Sequence, residues 1–302
     1  MIPGRGITWL ASYPKSGNTW FRVFLSNLLL KDRERPVHIN EAKLSGHAAS
    51  RHGLESALGF EISDCYPSEI YDLRRRYYDW LGNTGSGQIL KIHDAFLQPG
   101  TDKPVVTRES THRVVYIVRN PLDVAVSFAF HVGREDAANS GDLVSNENQY
   151  IFTRKRGPRG QVGQFLGCWS DHVQGWLNSG LPLTLVRYED LIRDDVAEFY
   201  RVIRSLGFSC SREEVEKAAQ DSRFSRLKEM EERDGFVEVI VGRNPFFRKG
   251  RVGDWKNHLT MEQAREILDA NVSVLDRLGY LQDQEWSIYG EDSQRAKLLP
   301  KE

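Results

Sequence analysis

ITWLASYPKSGNTWFRVFLSNLLL, residues 7–30, joins three elements in one stretch. Ile7 to Ala11 is a short apolar run of strand length. Ser12 to Thr19 is a tight polar turn with Pro14 and Gly17 inside it. Trp20 to Leu30 is long and apolar enough for a buried helix. A strand, a glycine-containing turn and a helix make an anion site. Backbone N–H groups at the turn and first helical turn lack internal partners, and the helix dipole favours negative charge there. Gly17 permits a backbone angle that a Cβ would forbid. Lys15 adds a positive charge, and Ser16 and Thr19 add hydroxyl donors. The pattern is not GxxxxGK[ST], because the lysine precedes the glycine. Taken alone, the same stretch also reads as a surface turn with one lysine.

The rest of the composition narrows the class. A length of 302 residues suits one large α/β domain or two small ones. Hydrophobic residues make up 40% and charged residues 27%, the balance of a water-exposed globular fold. A formal net charge of −1 argues against a general nucleic-acid binder and leaves room for a local basic groove. Cys65, Cys168 and Cys210 are scattered without metal-type spacing, which predicts buried thiols in a reducing compartment. The N-terminal apolar run is broken at Tyr13-Pro14-Lys15, so neither a signal peptide nor a membrane span is expected, and a cytoplasmic location is.

Further along, Asn40 to Gly59 has no clear period and reads as a weakly ordered segment near a substrate mouth. Ser68 to Leu81 reads as a helix, with Ile70, Leu73, Tyr77 and Trp80 at helical spacing. Gln88 to His93 reads as a strand that places Lys91 and His93 on one face. A lone strand-end histidine is more often structural than functional. Val114 to Val118 is a β-branched run typical of a central parallel strand. It is followed by Asn120 as N-cap and Pro121 at the first position of a helix reaching about His131. Arg119 thus falls at the strand end and Ser127 two turns into the helix. In open parallel sheets, ligands bind at such carboxyl ends.

Residues Gly133 to Gly163 hold a basic patch, Arg154-Lys155-Arg156-Gly157-Pro158-Arg159, readable as a solvated loop or as a lid over an anion. Phe165 to Leu177 reads as a helix whose Trp169 and Trp176 face the core. Leu183 to Tyr188 is a further strand, ending at Glu189-Asp190-Leu191. Helices are expected over Val196–Gly207, Glu213–Gln220, Ser222–Glu232 and Leu259–Leu278, the last capped by Thr260. Arg248, Lys249 and Arg251 cluster between glycines and aromatic residues, a composition suited to phosphate.

Several separated segments match one family in order. PKSGNTW resembles the 5′-phosphosulfate loop PKSGTTW of the sulfotransferases that use PAPS (3′-phosphoadenosine 5′-phosphosulfate), with Asn18 in place of the first threonine. VVYIVRNPLDVAVSF resembles their 3′-phosphate strand and helix. VRYEDL resembles a further strand end, and RKGRVGDWKNHLT resembles their RKGxxGDWKxxFT. The likeness spans about Ile7 to Tyr280. It implies an α/β fold in which a central parallel sheet is flanked by helices with P-loop-kinase-like topology. It also implies one domain over 1–302, with acceptor-pocket segments near 40–87 and 133–163.

By position, the resemblance implies that Lys15, Ser16, Gly17, Asn18, Thr19 and Trp20 hold the 5′-phosphosulfate. Arg119, Ser127, Arg248, Lys249 and Gly250 would grip the 3′-phosphate. Trp20, Phe224, Tyr188 and Ser222 would border the adenine, and Phe246 and Phe247 would lie beside the nucleotide. LKIH resembles the family's KxH strand, making His93 the base and Lys91 a catalytic support beside Lys15. The implied reaction moves a sulfuryl group from PAPS to a hydroxyl, less readily an amine, of a small-molecule acceptor, without a metal. Two other readings stand beside it: a nucleotide-binding protein without turnover, and a P-loop-type small-molecule kinase. Aromatic residues in the pocket segments and nearby (Phe60, Tyr66, Tyr77, Tyr78, Trp80, Phe96, Phe128, Phe130, Tyr150, Phe152) allow an aromatic or lipophilic acceptor and read equally as core. The family's dimer motif KxxxTVxxxE appears degenerate, as Lys256, Thr260, Met261 and Arg265 followed by Glu266. That puts a homodimer by this route in question.

Overall fold

A computed structural model of the chain describes residues 4–30, 35–42, 45–84, 87–134, 136–151, 160–239 and 245–282. In chain order the elements are β1 (Ile7–Ser12), α1 (Asn18–Leu29), β2 (Ser45–His47), α2 (Arg51–Leu58), α3 (Pro67–Asn83), β3 (Gln88–Ile92) and β4 (Thr111–Val118). Next come α4 (Pro121–His131), α5 (Asp142–Ser145), β5 (Tyr150–Ile151), β6 (Gln164–Phe165), α6 (Trp169–Leu177), β7 (Leu183–Arg187) and α7 (Tyr188–Arg193). The chain continues through α8 (Asp195–Ser205), α9 (Arg212–Asp221), α10 (Phe224–Asp234), α11 (Met261–Asp269) and α12 (Val272–Arg277).

The main sheet runs β2-β3-β1-β4-β7, with every pair parallel. β1 lies at the centre, registered on β3 from Ile7↔Gln88 to Ala11↔Ile92 and on β4 as far as Ser12↔Ile117. Every residue of β1 is buried, as expected for a strand covered on both faces. Alternation divides the core. Trp9, Ala11, Val114, Tyr116 and Val118 pack with residues of α3, α4, α6, α11 and α12. Leu10, Val115, Ile117 and Val186 pack with α1, α7, α8 and α9. Successive strands lie first on one side of β1 and then on the other. Their carboxyl ends therefore open on one edge at a reversal of strand order.

The expected helices and strands are present with several shifts. α1 starts at Asn18 and not at Trp20, because Gly17 takes the N-cap position with φ 104°. The segment read as weakly ordered contains β2, a three-residue edge strand, and α2, capped by Ser50 accepting from the Gly53 N–H. α6 begins at Trp169, since Gln164 and Phe165 pair antiparallel with Tyr150 and Ile151 instead. The long helix expected to Leu278 is two helices. Asn271 breaks it by donating its amide to the Ile267 carbonyl while accepting from Ser170, a side chain competing with the helical ladder. The Asn120 cap and Pro121 start are as expected. Cys65, Cys168 and Cys210 are half-buried thiols outside any disulfide. The basic patch Arg154–Arg159 and Phe152 lie outside the described residues. Among the described residues no helix is long and apolar enough to cross a membrane.

Candidate active site

The turn after β1 is fixed from below. The buried Tyr13 hydroxyl donates to the Leu143 carbonyl at 2.7 Å. Lys15 has φ 69° and Gly17 φ 104°, so the backbone passes twice through the left-handed region. Gly17 is required for two reasons, since a Cβ there would also press on the Tyr188 ring. The turn leads into the first N–H groups of α1, which have no intrahelical acceptor. The Ser16 hydroxyl is buried and has no hydrogen-bond partner among the described residues.

Lys15 Nζ stands 3.7 Å from the centre of the Phe246 ring. Burial draws its pKa down to about 7; Glu238 opposes this, while Lys91 and Arg119 add to it. Asn18 turns its side chain away from the turn. Its amide donates to the Leu10 carbonyl at 3.0 Å and to Ser12 Oγ at 3.2 Å. Its side-chain donors are thus committed to β1, and its backbone N–H is what it offers an anion.

His93 follows β3, next to the end of β1. Its Nδ1 lies 2.7 Å from the Ser12 carbonyl and 3.2 Å from Ser12 Oγ. A carbonyl can only accept, so Nδ1 carries the proton and Nε2 keeps its lone pair. Burial, followed by the Lys91 charge, holds the imidazole pKa well below its usual value, against the opposing bond to Ser12. The backbone around His93 is pinned on several sides. Its N–H donates to Gln164 at 3.3 Å, and its carbonyl accepts from His172 Nε2 at 3.0 Å. His172 Nδ1 in turn accepts from the Tyr116 hydroxyl at 2.8 Å.

The next residue, Asp94, is fully buried and receives a two-point bond from Arg74, at 2.9 and 2.6 Å. Its carbonyl accepts from Trp176 at 3.0 Å. Sequence reasoning missed this support. Its only local signal is an ionisable residue directly after a strand-end histidine; the partners lie tens of residues away.

Lys91 shares the His93 side of β3. Burial lowers its pKa to about 8, with Glu238 working the other way. Glu238 Oε2 is 3.5 Å from Lys91 Nζ, and Glu238 Oε1 is 2.6 Å from Arg22. Burial pushes the Glu238 carboxyl up, but the charges of Lys91 and Arg22 outweigh it and hold the group well below the usual range. His47, registered beside Lys91 on β2, is also kept neutral, chiefly by burial and then by Lys91. Neither Glu238 nor His47 was anticipated.

The second half of the site comes from β4, β7 and the basic segment. Arg119 donates to the carbonyls of Lys15 at 3.4 Å and Arg251 at 2.9 Å, and lies 4.5 Å over the Tyr188 ring. Its Nε is buried without a partner among the described residues. Glu189, from the strand end read as VRYEDL, accepts from the Asn120 N–H and amide and from the Tyr280 hydroxyl. Asp123 accepts from the N–H groups of Gly253 and Trp255, tying the basic segment to α4. Arg248 and Arg251 both bond Asp254. At Gly250 φ is 61°, and a Cβ would fall inside the Phe224 ring. Trp20 meets Tyr188 edge-on at 5.9 Å, and Phe224, Phe246 and Phe247 share a cluster with it.

Direct contacts therefore join the Lys15 turn to Phe246, Arg119 and Tyr188, and Arg119 in turn to Arg251. Lys249 is exposed, and Ser127 is half-buried on α4. The Ser222 hydroxyl donates to the carbonyls of Ala218 and Ala219 at the end of α9. Of the aromatic residues expected around an acceptor, Phe60, Tyr66 and Trp80 are largely exposed, while Tyr78 and Phe128 are in the core. A recess lined by Phe96, Gln98, Glu147, Phe165 and Asp171 borders Ala95, but none of Lys15, Lys91 or His93 lines it. Among the described residues no group of His, Cys, Asp and Glu gathers as a metal site would.

The arrangement offers an anion cradle with two lysines, and beside it a neutral imidazole with one open nitrogen. Comparison with known proteins gives the family of the chain. The model of a family described as "Sulfotransferase domain" matches residues 6–279. "Cytosolic sulfotransferase 1" of Danio rerio is 29% identical over 270 residues, covering 85% of this chain and 79% of that protein. "Amine sulfotransferase" of Oryctolagus cuniculus is 26% identical over 267 residues, covering 86% and 77%. In fold, the chain is similar to mouse sulfotransferase SULT7A1 complexed with PAP, with TM-score 0.55, 21% identity and coverage of 90% and 86%. It is also similar to retinol dehydratase in a complex with retinol and PAP, with TM-score 0.54, 20% identity and coverage of 91% and 82%.

Proposed function

The chain belongs to the sulfotransferase domain family, and from that premise we propose that it moves a sulfuryl group from PAPS to a hydroxyl of a small-molecule acceptor, with His93 as general base. The observation that carries this reading is the His93 Nδ1 contact to the Ser12 carbonyl, which leaves Nε2 as a lone-pair nitrogen beside the lysine-bearing turn. PAPS supplies a sulfuryl group already activated on a phosphate. The residues fit such a donor: Ser16 Oγ, Trp20 Nε1 and Arg119 Nε are buried polar atoms without partners among the described residues, next to the N–H groups that open α1.

Lys15, Ser16, Gly17, Thr19, Trp20 and the Asn18 backbone would hold the 5′-phosphosulfate. Arg119, Ser127, Arg248, Lys249 and Gly250 would hold the 3′-phosphate. Trp20, Tyr188, Phe224 and Ser222 would border the adenine, with Phe246 and Phe247 beside it. Both solved structures of similar fold hold PAP, which supports a donor of this kind. His93 would take the acceptor proton at Nε2 as attack proceeds. Lys15 and Lys91 would steady negative charge at the leaving and sulfonate oxygens. In-line transfer needs acceptor oxygen, sulfur and leaving oxygen aligned, so the bonds that fix His93 contribute through position. The name of the rabbit relative keeps amines within the acceptor range.

Labelled PAPS offered with a panel of phenols, alcohols and amines tests the reading, with products identified by mass spectrometry. Transfer to a hydroxyl is expected. Binding of PAP without transfer to any acceptor would leave a nucleotide-binding protein instead. ATP with magnesium outcompeting PAP would point to a kinase.

The two lysines also predict a pH dependence. Both pKa values are drawn down, to about 7 and about 8, so their charged forms are lost as pH rises through that window. PAP is an anion that binds the charged forms. Its affinity should therefore be greatest below about pH 7 and weaken above it, with net proton uptake on binding near pH 8. Calorimetry in buffers of different ionisation enthalpy measures that uptake; a flat affinity without uptake from about pH 6.5 to about pH 9 would contradict it.

A further inference from the structure

A carboxylate beside Lys91 works against the negative charges of the donor just described. Glu238 is nevertheless firmly presented there. The segment that follows α10 is clipped to the loop before β2: the Asn40 amide donates to the Gly235 carbonyl at 3.0 Å, and the Val237 N–H donates to Asn40 Oδ1 at 3.0 Å. His38 bonds Asp234 at 2.9 Å, and the Val239 N–H closes a turn on Phe236. Arg22 takes Glu238 Oε1 at 2.6 Å, whereas among the described residues Oε2 has only the long 3.5 Å contact to Lys91. An ionised carboxylate has about four acceptor positions, so Oε2 can take a further donor. The charged groups facing it are Arg22, Lys91 and Lys15, with neutral His47 beside Lys91.

We propose that Glu238 is a specificity-determining residue that selects acceptors carrying an ammonium group a few bonds from the hydroxyl that is sulfated. The inference rests on the sulfotransferase reading and names the acceptor class for the same site. Lys91 in β3 and His93 just past its end are two residues apart and fall on one side by the alternation of the strand, so an acceptor hydroxyl at His93 Nε2 has its near substituents within reach of the carboxylate beside Lys91. A bound donor draws Lys91 toward its sulfonate oxygens and loosens the long contact to Oε2. The acceptor's ammonium then replaces Lys91 at that oxygen, while Arg22 keeps the other. The penalty that Glu238 imposes on an anionic donor is offset when the second substrate is a cation. A neutral acceptor leaves it uncompensated.

The test uses matched acceptors in which a methyl group replaces the ammonium: tyramine against 4-propylphenol, and 3-amino-1-propanol against 1-butanol. Transfer from PAPS and binding to the enzyme–PAP complex are both measured. The wild-type protein should favour the cationic member of at least one pair by about tenfold or more in kcat/KM. In Glu238→Gln that ratio should fall toward one, while PAP binds as well as or better than before, which also shows that the variant is folded. A wild-type preference for the neutral members overturns the proposal, as does a cationic preference that survives in Glu238→Gln. PAP binding without binding or transfer of any of the four acceptors overturns it too. Failure to bind PAP at all would instead strike the sulfotransferase reading beneath it.

Discussion

Replacing His93 by alanine is expected to lower sulfuryl transfer about 10²- to 10⁴-fold, the usual range for a positioned acid–base group. PAP affinity should change by less than about threefold, because His93 bonds Ser12, Gln164 and His172 and none of these is assigned to the nucleotide. The loss should therefore fall on kcat. The wild-type pH profile carries a related signature. Burial and Lys91 keep the imidazole neutral well below its ordinary pKa. The acid limb of kcat should accordingly lie at lower pH than for a solvent-exposed histidine, and turnover should persist where an ordinary imidazole is protonated. A His93→Ala protein with near-normal kcat would remove His93 as the base. Loss of PAP binding together with turnover would instead mark the ring as a support of the turn.

Asp94→Ala should be the most destabilising single change near the site. Arg74 and Asp94 are both buried, joined at 2.9 and 2.6 Å. Burial alone would lower the Arg74 pKa, yet Asp94 raises it well above normal. Without Asp94 the guanidinium remains charged in the interior. Among the described residues the Tyr78 hydroxyl and the Gly163 carbonyl are its other hydrogen-bond acceptors, and the Tyr71 ring lies 5.3 Å away. Breaking such a pair from one side costs about 3–5 kcal/mol, a large share of the ~5–15 kcal/mol that holds a native domain together. The melting temperature should fall on the order of 10 °C.

The double variant Arg74→Met with Asp94→Ala separates charge from packing. Removing both charges should recover much of the lost stability, because the stranded cation is gone. Equal melting temperatures for the single and double variants would show that volume, and not charge, sets the loss. Activity should not return with stability in the double variant if the pair also steers the chain leaving His93.

The central strands were legible in the sequence because burial on both faces leaves continuous β-branched and apolar runs, as at Val114 to Val118. The two strand–turn–helix units were legible because their punctuation is local: Gly17 for one, Asn120 and Pro121 for the other. β2 was not, since three residues that include Gly46 have too little length to show a period, and their pairing comes from β3. The break at Asn271 was hidden for a related reason. It depends on Ser170, about a hundred residues earlier in the chain, while the local pattern continues as a helix.

The same division holds for the site. Lys15, Lys91, His93 and Arg119 sit at strand ends, where sheet geometry alone gathers them. Arg74, His172, Tyr116 and Glu238 reach the site through tertiary contacts that leave no spacing rule behind. Asn18 was legible as a polar residue of the turn, but its orientation toward Leu10 and Ser12 follows from the path of β1 beneath it.

β1 lies between β3 and β4, and this has a consequence for how such chains can be recombined. Lys15, Arg22, His47, Arg74, Lys91, His93 and Asp94 all precede the connection from β3 to β4, whereas Arg119, Tyr188, Glu238 and Arg248 follow it. On the proposed assignment, a genetic crossover in residues 97–110 would join the base and the 5′-phosphosulfate turn of one parent to the 3′-phosphate grip of another. The seam would run between β1 and β4, so only parents that share that register could yield a folded hybrid. Glu238 would travel with the C-terminal part, and the charge discrimination proposed for it would be inherited from the parent that did not contribute His93.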